Sequence, residues 1–319
     1  LVHIRAWMVC AFEISDHSLA LPGTDSMFAA FLAILLARSR LELSMTRLLR
    51  LSGLLTLVVV AALSLSACSA RGYLVRNIAD ELAGQGQAPE DDVQLAREAS
   101  AFYLKLSESV LRQTPGHVEL ASSVAAGFTQ YAYGFVAFEA DRIDSRDARA
   151  AQKLRERARR LYQRAHRHAM AALEARHAGF ASALAQPDPT RWPTIEPAEV
   201  GLAYWAAASW GGYISLSKDH PDDVADLPLA IRLATQAWQT APDHGDGALA
   251  SLMGSFELAR PGGSRPQAQV YFDRAITVGA GKSAGAYVAK AEGLALTSGD
   301  RAAFEALLRQ ALAAAARRP

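Results

Sequence analysis

The cysteine with the most distinctive surroundings is Cys68, which closes the run Leu65-Ser66-Ala67-Cys68. Small residues ahead of a cysteine let a peptidase grip the backbone. The thiolate is the nucleophile that can take up a diacylglycerol. Upstream, Arg47 and Arg50 follow Met45, and residues 51–65 form the apolar run LSGLLTLVVVAALSL. This is the layout of a secretory signal over 45–67, cut before Cys68, with Cys68 as the lipidation site. The run is too short and wrongly flanked for a stable membrane span; a transmembrane helix with an incidental cysteine is the alternative. Each buried acyl methylene contributes about 0.8 kcal/mol, so two or more chains anchor stably.

A second kind of chemistry is carried by aromatic side chains set among small residues. GFTQYAYGF at 127–135 places Tyr131 and Phe135 on one predicted helix. AYWAAASWGGYISLSKD at 203–219 places Tyr204, Trp205, Trp210 and Tyr213 on another. These rings point to several faces, so at least one helix is surrounded by others or lines a cavity. Tyrosine and tryptophan give apolar walls with a polar handle, which suits a ligand pocket; ordinary core packing is the competing reading.

Other residue patterns point away from chemistry. GAGKS at 279–283 invites a phosphate-loop reading, but Ile276 stands where the loop needs its first glycine, and a helix precedes it instead of a strand. The bland reading is a helix ending at Gly279 and Gly281 before a new helix. His166 and His168 are two apart and face different ways. His117 and His244 occupy matching turns, where helix capping is expected. With only Cys10 and Cys68, no cysteine zinc site or disulfide framework arises, so no metal and no cofactor is expected. No nucleophile, base and orienting group stand at readable spacing, so the chain is read as not an enzyme; a hydrolase site assembled across helices is a rival. Lys and Arg (33) nearly cancel Asp and Glu (32), and a net charge of +1 gives no reason to expect nucleic acid.

Elements that could position these residues are helices throughout. Pro and Gly punctuate the chain at 115–116, 187–197, 219–221, 242–247, 261–266 and 279–281. Between them the pattern predicts helices near 91–114, 118–139, 145–178, 198–217, 222–241, 246–259, 265–278, 283–297 and 300–317, with no strand. Pro89, Glu90 and Asp91 are expected in the first turn of the first of these. In 145–178, Leu154, Ala158, Leu161, Ala165, Ala169 and Ala172 form one apolar stripe; the arginine-rich opposite face reads as solvated, or as a docking surface for an acidic partner.

A repeat is visible. Ala230, Ala234 and Ala237 recur as Ala268, Phe272 and Ala275, and earlier as Ala158, Tyr162 and Ala165. A second echo, offset by 127, sets Pro115, His117, Glu119, Ala121 and Gly127 against Pro242, His244, Asp246, Ala248 and Gly254. The fold class is therefore all-α, as tetratricopeptide-like stacked helix hairpins with degenerate repeats, following an N-terminal signal; a plain alanine-rich bundle is the alternative. The chain divides into 1–44, read as a gene start placed too far upstream or else a genuine extension; 45–67, the signal; 68–92, anchor, tether and short helix; and 93–319, the helical domain.

Taken together, GFTQYAYGF, LRERARRLYQRA, YWAAASWGGYISLSKD, PDHGDGAL and GKSAGAYV, with the lipoprotein signal ahead of them, resemble the T component of TRAP transporters, the TatT family. The resemblance runs from about residue 68 to about residue 312. It implies a lipid-anchored, periplasm-facing accessory that works beside the substrate-binding P component of a tripartite transporter. It also implies a homotrimer and an apolar passage for a hydrophobic small molecule, with Tyr131, Phe135, Trp205, Trp210 and Tyr213 as its walls. Ser69, not aspartate, follows the anchor, which is similar to lipoproteins sent to the outer membrane. A generic helical-repeat scaffold of the envelope is the alternative; its sign would be a filled core beside Trp205 and Trp210.

Overall fold

The computed structural model describes residues 72–84 and 90–317, together with Gly53 and Thr56. Apart from those two residues, the expected extension 1–44, the signal 45–67 and the anchor Cys68 lie outside the described residues. Arg71–Pro319 form one compact unit. Of the preceding unit, Leu1–Ala70, only Gly53 and Thr56 are described, both in helix and exposed.

Among the described residues every regular element is helical. A helix over 72–84 (α1) is followed by α2 (Val93–Leu111), α3 (Val118–Tyr131) and α4 (Phe138–Ile143). Then come α5 (Ala148–Arg176), α6 (Phe180–Leu184), α7 (Val200–Ser215) and α8 (Pro221–Val224). The chain ends with α9 (Leu227–Thr240), α10 (Ala248–Ala259), α11 (Arg265–Val278), α12 (Ala284–Lys290) and α13 (Arg301–Ala315). Two π-helical turns interrupt the pattern, Ala132–Ala137 between α3 and α4 and Ala291–Leu296 after α12.

Starts are set by short polar side chains that satisfy orphan amides. Asp92 Oδ1 accepts from the Gln94 and Leu95 amides, Asp147 Oδ1 from Ala150, Ser264 Oγ from Gln267 and Asp300 Oδ1 from Ala303. Because Asp92 is the cap, α2 begins at Val93, and Glu90 and Asp91 precede it instead of filling its first turn. His117 does cap α3, its Nδ1 accepting from the Leu120 amide at 3.2 Å. His244 caps nothing: α10 starts from Gly247, whose φ of 89° is open to glycine without strain.

Helices pack on their sequence neighbours and on the next but one. α5 lies between α3 and α7, α9 covers α7, and α10 pairs with α11 and α12 with α13. All nine residues of the repeat are buried, from Ala158, Tyr162 and Ala165 to Ala268, Phe272 and Ala275. Each aromatic member fills a notch left by a glycine on the facing helix. A Cβ on Gly212 of α7 would stand 2.7 Å from the Tyr162 ring, and one on Gly254 of α10 would stand 2.8 Å from the Phe272 ring. The repeat is thus a packing rule, ring into glycine notch, and it closes these seams without voids.

On the far side of α3, the buried carboxylate of Glu108 ties α2 to α5. It accepts from Arg164, from Lys105 at 2.6 Å and from His168 Nε2 at 2.8 Å. Burial pushes its pKa up, but these donors outweigh that and hold the carboxyl well below the usual range. Arg164 and His168 also lie against the buried Phe128 ring, at 4.9 and 6.2 Å.

Candidate functional site

The seam between α3 and α7 does not close. It holds a cleft of about 1350 Å³, walled by α1, α2, α3, α7 and the turn ahead of α10. The residues of α3 that face it run from Val118 and Glu119 through Ser122, Ser123, Ala126 and Gly127 to Gln130, Tyr131 and Phe135. That spacing is one stripe of a helix, roughly 25 Å long at the usual rise per residue. The opposite stripe, Leu120, Ala121, Val124, Ala125 and Phe128, is buried in the core. α3 therefore has two distinct faces, one apolar toward the core and one of mostly small and polar residues toward the cleft.

At one end of the cleft the walls are aromatic. Tyr131 and Phe135 are an i, i+4 pair with ring centres 5.3 Å apart. Phe135 sits in the first π-turn, which lets its carbonyl leave the helical ladder and accept from Arg97 at 2.7 Å. Arg97 and Arg157 also lie over the Phe135 and Tyr131 rings, at 5.7 and 5.9 Å. Between this end and the other, α7 adds Tyr204 and Trp205, an edge-to-face pair with centres 4.8 Å apart. Burial pushes the Tyr204 phenol up to about 12, so it stays a neutral hydroxyl.

The other end is polar. His244 packs on Tyr204 with ring centres 5.6 Å apart, and burial lowers its pKa, which keeps the imidazole neutral. Its ring and Ser122 Oγ both cover Gly201, 3.5 and 3.4 Å from where a Cβ would stand. Asp80, Glu119 and Asp246 line the same end. Asp80 takes a hydrogen bond with His117 Nε2 at 2.9 Å, and the Tyr103 hydroxyl donates to the Leu82 carbonyl. These two contacts, with Ala79 and Leu82 buried, hold α1 along the cleft.

This end gathers a histidine, serines and carboxylates, the groups a hydrolase would use. Among the described residues, no hydrogen bond joins the His244 ring to a serine or to a carboxylate. Nucleophile, base and orienting group are not linked. No group of three His, Cys, Asp or Glu among the described residues is placed to hold a metal ion.

An all-helical chain with an aromatic cleft along α3 and α7 can be set beside known families. The family model described as the TRAP transporter T-component matches residues 89–319. The chain belongs to this family. A relative in Treponema pallidum (strain Nichols), described as an uncharacterized protein, is 27% identical over 237 residues, covering 70% of this chain and 72% of the relative. T components are accessories of TRAP transporters and not a known enzyme family. No helix among the described residues is long and apolar enough to cross a membrane.

Within this T component the five aromatic residues named from sequence divide into two groups. Tyr131, Phe135 and Trp205 line the cleft. Trp210 and Tyr213 lie on the other face of α7, both buried, and are not among the lining residues. Trp210 packs on His166 of α5 with ring centres 4.3 Å apart, and burial lowers His166 to about 4. The Tyr213 hydroxyl accepts from Arg159 at 3.4 Å, beneath the same guanidinium. Sequence reasoning noted Tyr204 among the aromatic residues but did not name it as a wall, read His244 as a helix cap, and missed Ser122 and Ser123. The small, hydroxylated stripe of α3 was the signal available, since a helix that packs on both sides should not carry one.

Proposed function

We propose that this chain is the lipid-anchored, periplasm-facing accessory of a TRAP transporter, binding the substrate-binding P component and holding an amphipathic ligand in the α3–α7 cleft. The supporting observation is the cleft itself, with Tyr131 and Phe135 on one wall and Tyr204 and Trp205 on another. Rings that cost little entropy to hold in place give a dry surface for an apolar ligand. A scaffold needs no such void, and the gap beside Trp205 favours the ligand reading over it. Lipidation at Cys68, an outer-membrane location and a trimer belong to the same proposal. α1 begins within a few residues of Cys68 and exposes Tyr73, Leu74 and Ile78, an apolar face suited to the membrane side of a tethered protein.

Three measurements test it. Affinity capture of the tagged protein from its native envelope should recover a solute-binding protein encoded with TRAP membrane subunits; recovery of none would remove the partner. Native mass spectrometry should show a co-purifying lipophile in the wild type that Trp205→Ala loses. Cys68→Ser should move the protein from membrane to soluble fractions, and continued membrane retention would count against the anchor.

A further inference from the structure

The cleft is polarised along its length, and the polarity assigns the ligand's head group. Along α3 the wall changes from Glu119, Ser122 and Ser123 at the start of the helix to Tyr131 and Phe135 at its end. Across from the first group stand His244 and Asp246, and across from the middle stands Trp205. One end thus offers hydrogen-bonding groups and the other offers ring faces.

Charge at the polar end has one sign. Three carboxylates, Asp80, Glu119 and Asp246, line the cleft, and among the described residues no lysine or arginine does. The chain holds 33 Lys and Arg, so this is not a matter of composition. The nearest guanidinium groups on the aromatic side, Arg97 and Arg157, lie over the Phe135 and Tyr131 rings and are not among the lining residues. α3, α7 and α10 all begin at the polar end, and helix starts favour negative charge. Glu119 in the first turn of α3 and Asp246 just ahead of α10 already supply it. An arriving anion would meet those carboxylates with no lysine or arginine among the described lining residues to offset them; the basic side chain paired with Asp80 and Glu119 is His117. Carboxylate oxygens only accept hydrogen bonds, so the complementary head must donate them.

Resting on the ligand reading above, we propose that the cleft takes a single-chain amphipath with a non-anionic, hydrogen-bond-donating head. The head lies at the Glu119, Ser122 and His244 end, and the tail lies on Tyr131 and Phe135. The stripe of roughly 25 Å is long enough to lay one extended chain along it. The carboxylates set the selectivity and the rings set the affinity.

The test offers three 12-carbon probes in equal amounts to the mature protein: dodecylamine, 1-monolauroylglycerol and laurate. Native mass spectrometry reads the occupancy of each. The amine and the glyceride should exceed laurate by about tenfold, the effect of a single unfavourable charge contact of moderate strength. In the double variant Glu119→Gln, Asp246→Asn the preference should fall to within about twofold; both positions are exposed, and asparagine tolerates the positive φ of Asp246, so folding is preserved. Trp205→Ala should weaken all three probes alike. Laurate binding as well as the amine would overturn this proposal and leave the cleft reading standing. Binding of no probe, or binding that Trp205→Ala does not change, would overturn the cleft reading and this proposal with it.

Discussion

Trp205 and Trp210 stand on one helix, five residues apart, and meet opposite surroundings. Five residues turn an α-helix by roughly 140°, so the two indoles must leave α7 on different faces. Trp210 enters the seam with α5, where His166 lies against it and Gly212 admits the Tyr162 ring. Trp205 borders the cleft along α3, where the lining positions Ser122 and Ala126 are small. The rings are equivalent in chemistry. The size of the residues opposite decides whether a tryptophan becomes core or wall.

That contrast can be broken most forcefully at Trp210. Trp210→Ala should cost about 3–5 kcal/mol in denaturant unfolding, because a large side chain leaves an enclosed site that cannot collapse. Trp205→Ala should cost less than about 2 kcal/mol, since it already borders a void, and its main effect should be on ligand. Equal costs at the two positions would mean that the seams do not differ.

Next comes the closed side's charge clasp. Glu108→Gln should destabilise by about 3 kcal/mol at neutral pH, at the low end for breaking a buried pair because Arg164 can still reach water. The sign of its pH dependence follows from a carboxyl held below its ordinary value of 4.5 in the folded protein. Its contribution is complete above that value and is lost as pH falls below it toward the folded-state pKa. Wild type should therefore lose stability on acidification more steeply than Glu108→Gln; parallel stability–pH curves would show that the clasp carries no net benefit.

A paired glycine test is finer. Gly212→Ala should cost about 1–3 kcal/mol, since its Cβ would collide with Tyr162. Gly201→Ala meets Ser122 and His244 at ordinary contact distance and should be neutral or gain up to about 1 kcal/mol of helix propensity, while narrowing the polar end of the cleft. If both substitutions destabilised equally, the α3–α7 seam would be as tight as the α5–α7 seam. Smallest of all, Asp147→Ala should cost about 1 kcal/mol through loss of the α5 cap, with no effect on ligand, and serves as the control for fold damage remote from the cleft.

Much of the fold was legible in residues 93–319 because helix starts, helix stops and small-residue stripes are local. Pro and Gly punctuation marks where helices stop, and the repeat of Ala230, Ala234 and Ala237 announces close packing; the caps Asp147, Ser264 and Asp300 came from the structure. The short α6 and the two π-turns were not legible. α6 is too short to show a period, and a π-turn depends on what pulls a carbonyl out of line, here Arg97 from another helix. The site was half legible. Aromatic content marked α3 and α7, yet nothing local to α7 separates Tyr204 and Trp205 from Trp210 and Tyr213.

The sequence by itself determined that this T component is helical, where most of its helices start and stop, and that small residues would let its helices pack closely. It did so because turns and periodicity act within a few residues. Tertiary structure alone decided that one seam closes and its neighbour stays open. It also decided which wall of the opening carries carboxylates, because both depend on residues 40 to 170 positions apart that only packing brings face to face.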